Sequence, residues 1–93
     1  MAKGAYKSSS GYLIENMSGK ILMMTVIATS GTEGYVSVLE NGGSSGTEIY
    51  RVPCIIGAEQ SARQIEFRPD CLEFNADCYL TLSNAAVSVL FSG

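Results

Sequence analysis

The sequence predicts an all-β protein that folds as a single antiparallel β-sandwich, jelly-roll-like, with about eight short strands. Two observations predict this fold. Short runs rich in β-branched and aromatic residues follow one another, and clusters of glycine, serine and asparagine separate them. In several of these runs apolar and polar residues alternate, which is typical of strands with one face in a core and the other in water.

Residues 1–11, MAKGAYKSSSG, precede the strands and are small, polar and rich in glycine and serine, with Tyr6 as the one large anchoring side chain. A segment of this composition buries too little apolar surface to order itself. We therefore expect an extended N-terminal arm over residues 1–11 that lies on a neighbouring surface. The sandwich domain then covers residues 12–93.

The remaining chain divides into strands and turns. Turn-forming residues predict loops at 30–34 and 41–46. One helical turn is expected within Ala58–Gln64, and a hairpin is expected between Cys71–Phe74 and Asp77–Leu80. The predicted strands are Tyr12–Glu15, Lys20–Thr29, Tyr35–Glu40, Thr47–Pro53, Ile65–Phe67, Cys71–Phe74, Asp77–Ser83 and Ala86–Ser92.

The strand at Lys20–Thr29 does not alternate, because both of its faces are apolar. Since successive side chains point to opposite faces, one of the neighbours Met23 and Met24 has to point outward. The second face is expected to be covered by another sheet, another subunit or the arm of a neighbour. The two predicted faces are Ile21, Met23, Thr25 and Ile27 on one side, and Leu22, Met24, Val26 and Ala28 on the other.

The composition indicates a protein whose surface contacts neighbours. Hydrophobic residues make up 46% of the chain and charged residues only 16%, against roughly 25% charged in an average globular protein. A single domain of this length can remove only roughly 60–65% of its unfolded surface from water. Much of the remaining surface is therefore expected to be buried against other subunits.

Charge and segment length argue against nucleic-acid and membrane partners. Six lysines and arginines against nine acidic residues give a net charge of −3, which leaves no basic stripe for phosphates. The apolar run Ile21–Ala28 is far too short to span a bilayer. No apolar segment follows the lysines of MAKGAYKSSS, so an unsecreted protein is expected.

Catalytic and metal-binding chemistry has little support. The chain has no histidine, so a serine or cysteine nucleophile lacks its usual base. Cys54, Cys71 and Cys78 lack paired CxxC spacing, and we expect three reduced, buried thiols without a metal. Asp70 and Asp77 flank a turn and are expected to brace it. We therefore predict that the protein is not an enzyme and binds no cofactor.

Residues 19 to 93 carry a resemblance, which lies in the spacing of strands and turns in "GKILMMTVIATSGTEGYVSVLENGGSSGTEIYRV" and "IEFRPDCLEFNADCYLTLSNAAVSVLFSG". This spacing resembles the small jelly-roll or β-sandwich virion proteins of tailed bacteriophages, notably the head decoration or cement proteins. The resemblance implies a structural protein made in the host cytoplasm that binds the outside of the phage capsid and stabilises capsomer contacts. Its partners would be the major capsid protein and copies of itself, in a symmetric oligomer such as a trimer.

Contacts with such partners are expected from the arm and from the outward side of the long strand. The alternative is a fibre, tail or neck component, or a carbohydrate-binding or receptor-binding module. For such a module, Tyr35, Tyr50 and Tyr79 are candidates for a stacking platform if their outer faces align. The candidate partner-contact residues are Ala5, Tyr6, Lys7, Tyr12, Leu22, Met24 and Val26.

Overall fold

The computed structural model describes residues 3–54, 62–67 and 71–92, and in these ranges the chain forms nine β-strands in two antiparallel sheets. A short 3₁₀ turn, Gly43–Ser45, lies between the fourth and fifth strands. The prediction of an all-β sandwich is confirmed. The strands are β1 Lys3–Lys7, β2 Gly11–Ile14, β3 Gly19–Ala28, β4 Gly34–Glu40, β5 Thr47–Cys54, β6 Ala62–Glu66, β7 Leu72–Phe74, β8 Cys78–Ser83 and β9 Ala85–Ser92.

The two sheets differ in strand number and order. The five-stranded sheet has the order β1-β9-β3-β6, and β7 pairs with the start of β3 on the same side as β6. The four-stranded sheet has the order β2-β8-β4-β5. The long strand β3 therefore lies in the interior of its sheet, with β9 on one side and with β6 and β7 on the other.

The core lies between the two sheets and consists of the inward side chains of both. The alternation that the sequence showed in the fourth, eighth and ninth strands places these side chains inside, as predicted. Burial of this apolar surface is the main favourable contribution to folding. The largest fully buried side chains are Phe74, Ile21, Met24, Leu80, Val26, Val36, Val38, Val52, Val87, Val89, Cys54 and Cys78.

A β-bulge near the start of β3 changes which side chains point inward. Ile21 pairs with Phe91 but Met23 pairs with Leu90, so Leu22 is an extra residue in the ladder. One extra residue reverses the alternation, which places Ile21 on the same inner face as Met24. Met24 is fully buried and Met23 is half-buried on the outer face, so the prediction that one methionine of the pair points outward is confirmed.

The same bulge corrects the two predicted faces of this strand. Ile21 does not share a face with the outward residues of β3, and the face predicted to meet a partner is largely the core face. The residues that point into the core are Ile21, Met24, Val26 and Ala28, and those that point outward are Met23, Thr25 and Ile27.

The first strand was not predicted. Residues 3–7 pair with β9 in register from Lys3↔Phe91 to Lys7↔Val87, and Ala5 packs against the core. The structure thus places this part of the predicted arm in the five-stranded sheet of its own chain. The side chains of this segment bury too little apolar surface to order it, but its backbone hydrogen bonds to β9 do so. Pairing at the edge of a sheet depends on backbone groups and needs no apolar side chains.

The expected hairpin between Cys71–Phe74 and Asp77–Leu80 is wrong. β7 pairs with β3 in one sheet, whereas β8 pairs with β2 and β4 in the other. The turn between them crosses from one sheet to the other. As a result, Phe74 and Cys78 enter the same core from opposite sides. All three cysteines are free thiols. Cys54 and Cys78 are buried as predicted, whereas Cys71 is only half-buried.

The expected helical turn at Ala58–Gln64 falls partly outside the described residues. Its first four residues, 58–61, are not in the described ranges. Ala62–Gln64 belongs to β6, which pairs with β3 from Ile27↔Ala62 to Met23↔Glu66. The pairing of β6 with β3 therefore determines the conformation of these residues, and their helical propensity does not.

The two adjacent methionines of β3 give a matched test of which face of this strand points into the core. Met24→Ala removes a fully buried side chain and is expected to lower the free energy of unfolding by about 2–5 kcal/mol. Met23→Ala removes an outward side chain and is expected to cost less than about 1 kcal/mol. Urea unfolding followed by circular dichroism measures both. Equal losses, or a larger loss for Met23→Ala, would contradict the assignment of faces.

Two glycines in strands give a second matched test. A Cβ on Gly34 would collide with the backbone oxygen of Ser83, and a Cβ on Gly4 would meet nothing within 4 Å. Gly34→Ala is therefore expected to destabilise the protein by about 1–3 kcal/mol, as overpacking does. Gly4→Ala is expected to leave stability unchanged or to raise it slightly. The midpoint of thermal unfolding of each variant checks this, and an unchanged midpoint for Gly34→Ala would contradict the packing of β4 against β8.

Candidate functional site

The outer face of the five-stranded sheet is largely apolar. The register of β1, β9, β3 and β6 brings their outward side chains into rows across the sheet, with those of β3 at the centre. Tyr6 is 63% exposed and Ile27 is 40% exposed. We call this surface the apolar face, and it consists of Gly4, Tyr6, Met23, Thr25, Ile27, Ala62, Gln64, Ala86, Ser88 and Leu90.

Among the described residues, the charged side chains on this side of the sheet lie at the border of the apolar face. Glu66 lies opposite Met23 on the edge strand β6. Lys20 and Glu73 lie opposite one another on β3 and β7, in the row beyond Glu66 and Met23. An uncharged centre with a charged border is the distribution typical of protein–protein interfaces.

The predicted partner-contact residues are not together in the structure. Tyr6 lies on the apolar face, whereas Tyr12 lies on the outer face of the other sheet and is 38% exposed. Met24 and Val26 are fully buried in the core and cannot meet a partner in this fold.

The other predicted contact residues are half-buried. Ala5 packs against the core, Lys7 lies opposite the core residue Val87, and Leu22 lies at the bulge of β3. Sequence reasoning missed Met23 and Ile27, the outward residues at the centre of the face, because it took the opposite face of β3, with Met24 and Val26, as the outward one. Because both faces of this strand are apolar, the sequence pattern is compatible with either set of outward residues and contains no signal that selects one of them.

The outer face of the four-stranded sheet is more polar. Cross-strand pairing aligns Tyr12, Tyr79, Leu39 and Glu48 in one row across β2, β8, β4 and β5. The rings of Tyr12 and Tyr79 are 5.2 Å apart in a T-shaped arrangement. The next row consists of Thr81, Ser37 and Arg51. We call this surface the polar face.

Four side chains on the polar face form a connected cluster. The guanidinium carbon of Arg51 lies 4.1 Å from the ring centroid of Tyr35. Arg51 Nε donates to Glu48 Oε1 at 2.8 Å, and Ser37 Oγ donates to the same oxygen at 2.5 Å. Ser37 is only 3% exposed. The four side chains of this cluster line a depression of about 200 Å³. Its lining residues are Tyr35, Ser37, Leu39, Glu48, Arg51 and Thr81.

The hydrogen bonds of this cluster hold Glu48 in its ionised form. The hydrogen bond from Ser37, followed by the hydrogen bond and the charge of Arg51, lowers the pKa of Glu48 below its ordinary value. The Glu48 and Arg51 side chains are 42% and 55% exposed, so their ion pair contributes little to stability. Its effect is to position a carboxylate and a guanidinium of opposite charge beside one another.

The predicted platform of Tyr35, Tyr50 and Tyr79 forms only in part. Tyr35 and Tyr79 lie on the polar face, but Tyr50 points inward and its ring centroid is 5.0 Å from that of Phe67. Alternation along β5 is the reason, because Tyr50 lies on the same face as the buried Val52 and pairs with the buried Val38. A bulge at Ile49 places Glu48 on the polar face instead. Tyr12, which was not assigned to the platform, lies beside Tyr79 instead.

The loop at 41–46 is held against the turn between β7 and β8. The carboxylate of Asp77 accepts a hydrogen bond from the backbone N–H of Gly42 at 3.3 Å. Glu40 Oε1 accepts one from the backbone N–H of Asn75 at 2.9 Å. The Asp77 side chain thus joins the loop at 41–46 to the turn that Asp77 flanks, whereas Asp70 lies outside the described residues.

The buried thiols are unreactive in their surroundings. Burial, with a further contribution from the charges of Asp77 and Glu40, raises the pKa of Cys78 to about 12. Burial also raises the pKa of Cys54. Both thiols are therefore protonated at neutral pH and lack the thiolate that nucleophilic attack requires. Within residues 3–54, 62–67 and 71–92, no group of three or more histidine, cysteine or acidic residues could hold a metal ion.

Comparison with known proteins does not assign the chain to a family. No protein-family model, no curated protein and no solved structure matches it. In the part of the chain that the structure describes, no helix has the length and apolar character needed to cross a membrane. A proposal for function therefore depends on the two outer faces and on the strand and turn spacing of the sequence.

The hydrogen bond from Ser37 to Glu48 has a measurable consequence. A carboxyl group whose pKa is lowered by folding contributes stability above its unfolded pKa, and that stability is lost as the pH falls through the folded pKa. Ser37→Ala is expected to raise the pKa of Glu48 toward its ordinary value of 4.5 and to weaken this acid dependence. Titration of the side-chain carboxyl carbons by NMR measures the change.

Thr81→Ala provides the control for this titration. Thr81 lines the same depression but makes no hydrogen bond to Glu48 in the described structure. Thr81→Ala should therefore leave the pKa of Glu48 close to that of the unaltered chain. An equal effect of the two substitutions, or none from Ser37→Ala, would contradict the role of the serine.

Proposed function

We propose that this chain is a non-enzymatic structural virion protein that decorates the outside of a phage head through its apolar face. The uncharged centre of that face is the observation that carries the proposal. Its exposed side chains include Tyr6 and Ile27, which a solitary protein would ordinarily replace with charged residues to remain soluble. The spacing of strands and turns, which resembles phage decoration proteins, directs the proposal toward a capsid.

The apolar face suits contact with a flat protein surface. Its centre, formed by Met23, Thr25 and Ile27, lies in the interior of a sheet and is held by pairing on both sides. A rigid face loses little conformational freedom when it binds. Exposed apolar patches bordered by polar residues are typical of sites of protein association. The proposed partners are the major capsid protein and further copies of this chain.

The edge strand β1 extends the face. β1 pairs only with β9 among the described strands, so its other edge has backbone groups open to a neighbouring chain. Tyr6 projects from this edge strand onto the apolar face. Each contact through this face needs only modest affinity, because neighbouring sites on a capsid increase the effective concentration of each subunit. This arrangement replaces the extended arm as the proposed means of attachment.

A charge at the centre of the face should prevent binding. Ile27→Lys places a lysine at the centre and is expected to reduce binding at least tenfold, since burying an unpaired charge is costly. The measurement is co-sedimentation of the purified chain with heads assembled from the major capsid protein of the same genome. Thr47→Lys adds the same charge at an exposed position of the other sheet and should bind normally.

The circular dichroism spectrum of each variant establishes that it is folded. Failure of the unaltered chain to sediment with heads would overturn the decoration role. Sedimentation with tails or fibres instead would assign the chain to another part of the virion. Equal binding by Ile27→Lys and the unaltered chain would show that another surface makes the contact.

A further inference from the structure

We propose that the depression on the polar face binds one neutral sugar residue of a glycan. This site lies on the opposite side of the sandwich from the apolar face, so it goes beyond the proposed structural function and does not depend on it. The size of the depression, the charges on its walls and the fixed positions of its side chains carry the inference. Each of these observations restricts the class of ligand.

The size of the depression suits a single sugar ring. The depression measures about 200 Å³, which is smaller than the roughly 300–1,000 Å³ of sites for drug-sized molecules and cofactors. One six-membered ring with its hydroxyl groups is of suitable size. The depression is open to solvent along the sheet, so a longer chain of sugars could continue beyond it. Leu39 lies beside the Tyr12–Tyr79 pair in the same row across the sheet, and this pair offers aromatic surface to a second ring.

Charge selects a neutral ligand. Glu48 and Arg51 neutralise one another across 2.8 Å, so an anion would meet the carboxylate and a cation would meet the guanidinium. A neutral molecule that has both donors and acceptors avoids both repulsions. Sugar hydroxyl groups do both, since each donates one hydrogen bond and accepts others.

The cluster also leaves hydrogen-bond donors and acceptors free to bind a sugar. Both described hydrogen bonds to Glu48 end on Oε1, which leaves Oε2 as an acceptor. Arg51 uses Nε for its bond, which leaves its terminal nitrogens as donors. The hydroxyl of Thr81 lines the depression, and Leu39 provides an apolar surface for the C–H groups of the ring. These groups together match the mixed polar and apolar surface of a pyranose.

The site is organised before a ligand arrives. Ser37 is buried and holds Glu48 from one side, while Arg51 is held between Glu48 and the ring of Tyr35. Side chains that are already fixed lose little entropy on binding, which matters for a weak ligand such as a single sugar.

The test is an NMR titration of the ¹⁵N-labelled full chain with uncharged methyl pyranosides of glucose, galactose, mannose and N-acetylglucosamine. At least one is expected to bind at millimolar concentration and to shift the backbone amides of Ser37, Leu39, Glu48, Arg51 and Thr81. Amides of the apolar face should not move. Methyl glucuronide, an anionic sugar, is included in the panel and is expected to bind more weakly.

Two pairs of variants separate the site from general effects. Glu48→Gln removes the charge that balances Arg51 and is expected to weaken binding at least fivefold, whereas Glu66→Gln changes an exposed glutamate of the other sheet and should have no effect. Thr81→Val removes one hydroxyl from the depression, and Thr25→Val makes the same change on the apolar face. Thr81→Val should weaken binding and Thr25→Val should not.

The results that would overturn the proposal are specific. They are the absence of shifts with every pyranoside, shifts confined to other residues, equal binding by Glu48→Gln, or tighter binding of the glucuronide. Co-sedimentation with phage heads does not report on any of these, because it tests Ile27 on the opposite face. Either proposal can therefore fail while the other holds.

Discussion

The pairing of β3 with β9 is the contact on which the rest of the sandwich depends. Its inward pairs, Met24↔Val89 and Val26↔Val87, consist entirely of fully or nearly fully buried side chains. β1, β6 and β7 join the five-stranded sheet only through one or the other of these two strands. A chain of 93 residues has a thin core, so its stability is concentrated in the few strands that have neighbours on both sides.

Much of the fold follows from local patterns, and the errors have a common cause. The eight strands predicted from alternation and turn residues are all present, with boundaries that shift by a few residues. Composition over 1–11 predicted an arm. The pairing of β1 with β9 joins residues eighty or more positions apart in the sequence, which a local pattern does not reveal. The turn after β7 was interpreted as a hairpin because its residues suit a tight turn, although the two strands it joins belong to different sheets.

The candidate site was harder to predict than the fold. Both outer faces depend on bulges, one at Leu22 in β3 and one opposite Val38 and Leu39 in β5. The bulge in β3 places Ile21 on the inner face together with Met24. The bulge in β5 places Glu48 on the outer face, although Tyr50 points inward. No residue type marks these positions, since backbone pairing with distant strands produces them.

The register between the first and last strands also determines where the two ends of the described chain lie. Lys3 is paired with Phe91, so the residues that begin β1 and those that end β9 meet at one corner of the sandwich. Lys3 and Phe91 therefore lie close together, on the side of the five-stranded sheet where β1 forms the edge. Labels attached at Lys3 and at Phe91 would therefore crowd the same neighbourhood, while the loop at 41–46 offers a separate point of attachment in the four-stranded sheet.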